Sequence, residues 1–158
     1  IWSGAEYRGR GRNTSWLGEA NFKNANITRM EKINAWNHER LLEVDGDNKV
    51  KWDAITTGNY GGFDVWLENV KNAEISIETN HGSLACPLAE MGIEDTVLDC
   101  GGLERRLKLM RLPEQNPHRE LTREVEIILA ASGDNPLWVC VTTEDGFQAW
   151  SSPIFVFN

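Results

Sequence analysis

Residues 135–158 read NPLWVCVTTEDGFQAWSSPIFVFN, and this stretch decides the fold class. Residues 137–142 are rich in β-branched and aromatic side chains that alternate between two faces, as they do in strands. Asp145-Gly146 has turn chemistry, because Gly tolerates positive φ and the Asp side chain can bond the turn backbone. The stretch therefore predicts a β-hairpin. We expect the terminal run 154–157 to be a core strand, since its apolar side chains would otherwise remain in water.

Similar short runs occur throughout the chain, with turn signals between them about every eight to twelve residues. Residues 50–57 alternate after a turn at Asp45-Gly46, residues 73–79 form the cleanest apolar-in, polar-out run, and residues 122–130 alternate again. Residues 84–92 fit either a short helix or a kinked edge strand, because Pro87 excludes a central strand. The pattern predicts an all-β fold with very little helix: an antiparallel β-sandwich, with a barrel-like sandwich as the alternative.

Length and charge limit the organisation and the partners. A chain of 158 residues can bury a sizeable core, so we expect one β-sandwich domain over residues 1–158. The net charge of -8 disfavours nucleic acid and anionic membranes as partners, because both require a positive field. No run of eighteen apolar residues is present, which favours a soluble protein. Three cysteines cannot all pair within the chain, so we expect reduced, buried thiols, with one bridge and a free thiol as the alternative. The compartment is not fixed by the sequence, and we slightly favour the cytoplasm.

The chemical motifs of familiar enzymes are missing from the sequence. His38, His81 and His118 stand apart without a metal-binding spacing, and no phosphate loop, dinucleotide fingerprint or nucleophile elbow occurs. Paired carboxylates for glycoside cleavage stay open, because with 24 acidic residues some pair will always be close. We nominate no catalytic, cofactor-binding or metal-binding residue, and we expect a protein that is not an enzyme and needs no cofactor.

Tryptophan is abundant, with seven residues in the chain. Large indoles most often fill the space between layers, and Trp66, Trp138 and Trp150 lie inside strand patterns, so we expect those three in the core. Trp36 is instead surrounded by polar residues. We take Trp36, Asn37 and His38 as the candidate ligand-binding site, where an indole could stack on a ligand such as a sugar.

A family resemblance rests on short motifs in two parts of the chain. Residues 134–139, 144–146 and 149–154 are similar to the closing segment of the β-sandwich region that follows the metal-dependent barrel in bacterial proteins related to the polymerase-and-histidinol-phosphatase (PHP) phosphoesterase superfamily. Residues 50–52, 56–58 and 64–67 also resemble that region. The metal-binding histidines and carboxylates of the superfamily belong to the barrel, and no matching motif is present here.

The resemblance implies a non-catalytic β-sandwich accessory or interaction module, from or related to a larger metal-dependent hydrolase. Its expected partners are a catalytic domain in cis or further copies in a homo-oligomer, because a free module exposes the surface that normally docks on its barrel. The alternative is a carbohydrate-binding module or a small carbohydrate-active enzyme that uses exposed Trp and carboxylates.

Overall fold

The computed structural model describes residues 1–9, 12–34, 39–113, 115, 120–143 and 148–156. The chain divides into two compact units, Ile1–Pro113 and Glu114–Asn158, and each is described by itself. The expectation of a single domain over residues 1–158 stays a prediction. Among the described residues there is no helix, and consequently none that is long and apolar enough to cross a membrane.

The first unit is built from ten described strands arranged in two antiparallel five-stranded sheets. Sheet I has the order β3-β6-β1-β10-β9, and sheet II has the order β4-β5-β2-β7-β8. The strands are β1 (Trp2–Ala5), β2 (Thr14–Lys23), β3 (Asn26–Ile33), β4 (Leu42–Asp45), β5 (Lys49–Thr56), β6 (Tyr60–Glu68), β7 (Glu74–Thr79), β8 (Gly82–Pro87), β9 (Thr96–Asp99) and β10 (Leu103–Leu109). The two sheets pack against each other, so the predicted all-β antiparallel sandwich is confirmed.

Alternation along the central strands creates the core between the sheets. In β2, Trp16, Ala20 and Phe22 are buried while the residues between them are partly or fully exposed. At the centre of the core, Trp2 of sheet I stacks on Trp52 of sheet II, with ring centroids 5.0 Å apart and planes 4° apart. Offset or parallel stacking of this kind adds about 1 kcal/mol to the effect of area burial. The stack therefore ties the two layers together.

Glycine makes room for the two stacked indoles. Gly18 on β2 lies beneath the Trp52 ring, and a Cβ atom there would overlap the ring atoms. Gly61 on β6 lies beside Trp2, and its Cβ atom would be 2.9 Å from the indole Nε1. These two strands thus need glycine for close approach, not for turn geometry.

A buried hydrogen-bonded chain also connects the layers. The indole N–H of Trp16 donates to Thr56 Oγ1 over 2.9 Å, and that hydroxyl donates to the carbonyl of Gly4 over 2.6 Å. Thr56 belongs to sheet II and Gly4 to sheet I. Because an isolated buried donor costs about 1–3 kcal/mol, this chain makes the relative position of the two sheets specific.

The second unit contains four short described strands: β11 (Asn135–Leu137), β12 (Cys140–Thr142), β13 (Gln148–Trp150) and β14 (Ile154–Val156). β11 pairs with β14 and β12 pairs with β13, each as a two-stranded antiparallel ladder. The predicted hairpin is confirmed, while its turn at Asp145-Gly146 lies outside the described residues.

Two expectations about this unit were wrong. Residues 154–156 do not form a core strand, because within the described part of the chain they pair only with β11 and Ile154 remains 61% exposed. Residues 122–130 form no strand, and Val125 and Ile128 are largely exposed. Alternation creates an apolar face, but much of that face stays exposed in these segments.

Candidate functional site

The sequence-based site at Trp36, Asn37 and His38 lies outside the described residues, so ligand binding there stays a prediction. Of the three histidines, only His81 is described. Its ring meets the edge of Trp16 with centroids 4.8 Å apart, and its Nε2–H donates to the carbonyl of Ser15 over 2.7 Å. His81 therefore has a packing role. Among the described residues, no group of three or more His, Cys, Asp or Glu side chains could hold a metal ion.

The tryptophans fall into two classes. Trp2, Trp16 and Trp52 are buried in the sandwich, as expected for core indoles. Trp66, Trp138 and Trp150 are 42%, 53% and 65% exposed, so the prediction that they fill the core was wrong. The strand patterns had placed these three residues in strands without determining which face of each strand is covered.

Trp66 lies on the outer face of sheet I because its β6 neighbours Phe63 and Val65 pack against the core. The Arg29 guanidinium lies 4.3 Å from the centre of the Trp66 ring, and Arg29 also forms an ion pair with Glu31. Such cation–π contacts at exposed sites contribute about 0.5–1 kcal/mol. This surface combines an accessible indole with charged groups, which is a chemistry suited to hydroxylated ligands.

The described strands of the second unit form a longer feature, here called the C-terminal arm (residues 135–143 and 148–156). Leu137 pairs with Ile154 and Cys140 pairs with Trp150, so two residues on the first strand face three on the second. One extra residue in one strand of an antiparallel pair defines a β-bulge. The two ladders are therefore parts of one interrupted hairpin.

Ser151 and Pro153 explain how the chain accommodates the bulge. The Ser151 N–H donates to the Val139 carbonyl over 2.9 Å, and the Val139 N–H donates to Ser151 Oγ over 3.0 Å. Pro153 follows within the unpaired segment, where its missing N–H leaves no ladder hydrogen bond unmade. The sequence Ser151-Ser152-Pro153 is thus compatible with the gap between the two ladders.

The arm is apolar, exposed and uncharged. Its exposed apolar side chains range from 49% to 65% exposure and are Trp138, Val139, Val141, Trp150, Ile154 and Phe155. No Asp, Glu, Lys or Arg occurs in residues 135–143 or 148–156, although the whole chain carries a net charge of -8. By strand alternation Trp138 and Trp150 lie on one face of the hairpin, and Val139 and Val141 lie on the other. Exposed apolar side chains in such number are typical of an interaction site.

No protein-family model, no curated protein and no solved structure matches this chain.

The thiols differ in their accessibility. Cys86 is buried, Cys100 is half-buried and Cys140 is exposed on the arm, and all three are free. Desolvation raises the pKa of the Cys100 thiol, and this effect outweighs a backbone hydrogen bond and the nearby Arg105. Because Cys140 is the exposed thiol among the three, a thiol reagent should reach it first. The expectation of buried thiols is confirmed for Cys86 and is wrong for Cys140, while the reduced state stays a prediction.

Charges on the sandwich surface form ordinary ion pairs. Lys51 lies 2.6 Å from Asp45 and 3.9 Å from Glu19, on the outer side of sheet II. The hydrogen bond and the positive charge of Lys51 lower the pKa of Asp45, while the same hydrogen bond and the negative charge of Asp45 raise the pKa of Lys51. Exposed pairs of this type contribute little to stability. They contrast with the uncharged arm.

Proposed function

We propose that this chain is a non-catalytic β-sandwich accessory module that binds a protein partner through the C-terminal arm. One observation carries the proposal: the eighteen described arm residues contain no charge, and six of their aromatic and aliphatic side chains are 49% to 65% exposed. Protein interfaces have cores that are depleted of charge and enriched in aromatic residues. The arm fits that composition.

The resemblance to the region behind the PHP barrel supports a place beside a larger metal-dependent hydrolase. Under this proposal the barrel supplies the metal ligands and the chemistry, and this chain supplies an interaction surface. Sequencing the gene around this coding segment tests the relation. A metal-dependent barrel encoded in the same reading frame is expected, and a reading frame without any hydrolase domain would count against it.

Catalysis is tested on the purified 158-residue chain. Hydrolysis of p-nitrophenyl phosphate is measured with added Mg²⁺, Mn²⁺ or Zn²⁺, and a mock purification sets the background. We expect no turnover above that background. Turnover that requires the metal, disappears with a chelator and follows the protein through purification would overturn the non-catalytic proposal.

A second candidate function is carbohydrate binding, and the exposure of Trp66 favours it. Asp64 and Glu68 lie two residues to either side of Trp66, so all three are directed to the same side of β6. Sugars bind to such surfaces by stacking on the indole and by hydrogen bonding to carboxylates.

Affinity electrophoresis on a panel of soluble polysaccharides tests this candidate. Retardation of the chain should disappear in Trp66→Ala and persist in the matched arm variant Trp138→Ala. Retardation that is equal in both variants, or that is absent for every polysaccharide, would exclude a role for the Trp66 surface. The Arg29→Ala variant would show whether uncovering the ring strengthens binding.

A further inference from the structure

Sheet I contains a gap beside its central strand. β1 lies between β6 and β10, but its pairing with β6 is limited to Tyr60 and Gly61. Residues 63–68 of β6 continue past the start of β1, and in the described part of the chain they pair with β3 alone. Neighbouring strands lie about 4.8 Å apart, so β6 and β10 are separated here by about 10 Å, which leaves the width of one further strand. We call this gap the sheet I slot.

Backbone groups of β6 point into the slot. The hydroxyl of Thr28 on β3 donates to the Trp66 carbonyl over 3.1 Å, so that carbonyl is directed towards β3. Backbone groups in an antiparallel strand alternate in direction, and the N–H and C=O of Phe63, Val65 and Leu67 therefore point away from β3. This margin of the slot offers hydrogen-bonding groups at every second residue.

The opposite margin is the end of β10. Lys108 and Ile1 exchange two backbone hydrogen bonds, over 2.8 Å and 2.9 Å. By alternation Met110 repeats the orientation of Lys108, while Arg111 is turned the other way and donates its N–H to the Gly92 carbonyl. A strand in the slot would thus find hydrogen-bonding groups on both sides, as a donor strand does when it completes a sheet.

The core of the sandwich is partly uncovered along the slot. Residues 61 and 62 are buried where β1 lies beside β6, whereas residues 63–68 are all partly or fully exposed. Three of the latter face the core and are still only partly buried: Phe63, Val65 and Leu67. On β2, which has a neighbouring strand on each side, the inward-facing Trp16 and Phe22 are at most 2% exposed. A strand in the slot would cover the apolar surface that β6 leaves in water.

Charge selects the kind of strand that fits. Three acidic residues and one basic residue lie on the outer side of β3 and β6 next to the slot, namely Glu31, Asp64, Glu68 and Arg29. On the other margin, Lys108 is paired with Asp95 at 2.6 Å. The net charge of -8 adds a longer-range attraction for a basic partner. An added strand therefore meets apolar groups on its inner face and an excess of negative charge on its outer face.

We infer that the sheet I slot accepts an extended segment of a partner protein in which apolar and basic residues alternate. The added strand runs antiparallel to β6 and β10, in line with β1. Its apolar side chains pack against Phe63, Val65 and Leu67, and its basic side chains lie near Asp64 and Glu68. Backbone hydrogen bonds supply affinity and the alternation supplies specificity. The inference goes beyond the proposed function, because it concerns sheet I and not the arm.

A fluorescently labelled hexapeptide in which valine and lysine alternate tests the chemistry, with binding to the 158-residue chain measured by fluorescence anisotropy. One control peptide has three lysines followed by three valines, which keeps the charge and loses the alternation. A second control alternates valine with glutamate. The alternating lysine peptide should bind at least about tenfold more tightly than either control. Absence of binding would overturn the inference, and so would equal binding of the block peptide, because net charge alone would then explain the affinity.

Charge variants locate the bound peptide. Glu68→Lys places a cation at the margin of the slot and should weaken binding on the order of tenfold. Glu78→Lys, at an exposed position of β7 in sheet II, makes the same change in net charge and should bind the peptide like the parent. Equal weakening in both variants, or in neither, would contradict binding at the slot.

Residue-resolved hydrogen exchange tests the backbone pairing. In the free chain, the amides of Phe63, Val65 and Leu67 should exchange quickly, whereas those of Asp64 and Trp66, which face β3, should exchange slowly. Saturation with the alternating lysine peptide should slow the first three amides by about tenfold or more. Slow exchange of these three amides without peptide would show that the slot is already filled, and unchanged exchange with peptide would show binding elsewhere; either result overturns the inference. All of these readouts lie in the first unit, so their failure leaves the proposal for the arm standing.

Discussion

Thr14 and Thr56 offer a matched test of the hydrogen bonding inside the sandwich. They face each other across β2 and β5, and both are about 1% exposed. The Thr56 hydroxyl accepts from Trp16 and donates to the Gly4 carbonyl. The Thr14 hydroxyl has no hydrogen-bond partner within the described structure. Valine at either position keeps the shape of the side chain and replaces the hydroxyl group by a methyl group.

The structure sets the size of each effect. Thr56→Val leaves the buried indole N–H of Trp16 without an acceptor, while the Gly4 carbonyl keeps the N–H of Gly58 at 3.3 Å. One orphaned buried donor and one lost hydrogen bond together cost about 2–3 kcal/mol of unfolding free energy. Thr14→Val replaces an unpartnered hydroxyl by a methyl group, so it should be neutral or stabilise by up to about 1.5 kcal/mol.

Urea unfolding followed by tryptophan fluorescence and by far-ultraviolet circular dichroism measures both variants, provided that the two signals coincide. Thr56→Ser, which keeps the hydroxyl, should recover most of the loss. The double variant Trp16→Phe/Thr56→Val should lose less than the sum of its single changes, because the donor and the acceptor are then both absent. The reasoning fails if Thr56→Val unfolds within about 0.5 kcal/mol of the parent, or if Thr14→Val loses as much as Thr56→Val.

The remaining predictions use the same unfolding assay. Gly18→Ala forces a Cβ atom into the Trp52 ring and should cost about 1–3 kcal/mol, with loss of the near-ultraviolet dichroism of the stacked indoles as a second readout. Leu107→Ala, at a 2% exposed position, should cost about 2–5 kcal/mol, whereas Leu121→Ala, at a 93% exposed position, should change stability by less than about 0.5 kcal/mol. In a polypeptide that begins at Ile1, burial lowers the pKa of the α-amino group from 8.0 to about 6. Above pH 8 this amine is neutral in both the folded and the unfolded state, and below pH 6 it is charged in both. The unfolding free energy should therefore fall by about 2 kcal/mol as the pH drops from 8 to 6. N-terminal acetylation should abolish this fall.

Local patterns were enough to predict much of the sandwich. The Asp45-Gly46 turn followed by the alternating residues 50–57 predicted β5 and the turn before it, and the regular alternation of residues 73–79 predicted β7. Pro87 excluded a central strand, and the structure indeed places β8 at the edge of sheet II. These features depend on residues that are close in the sequence, so the sequence contains the information directly.

Which faces of the C-terminal strands are covered depends on contacts between residues that are distant in the sequence. Alternation identified the hairpin that contains Trp138 and Trp150, but it could not say whether another layer covers those indoles. The same limit applies to Trp66, whose orientation follows from the inward packing of Phe63 and Val65. The pairing of Trp16 with Thr56 joins residues forty positions apart, and no local pattern indicates it. Local patterns therefore predicted most of the described strands, wrongly added one over residues 122–130, and did not show which faces stay exposed.

The bulge in the arm affects whether concentrated samples should form fibrils during storage. An extra residue bends and twists a ribbon, and Pro153 withholds a hydrogen-bond donor from the strand that carries it. Fibrils grow when flat strands with complete donors and acceptors stack without end. A curled ribbon with a proline on one margin cannot propagate that stacking. Prolonged storage should accordingly give small, closed species that bind no thioflavin T.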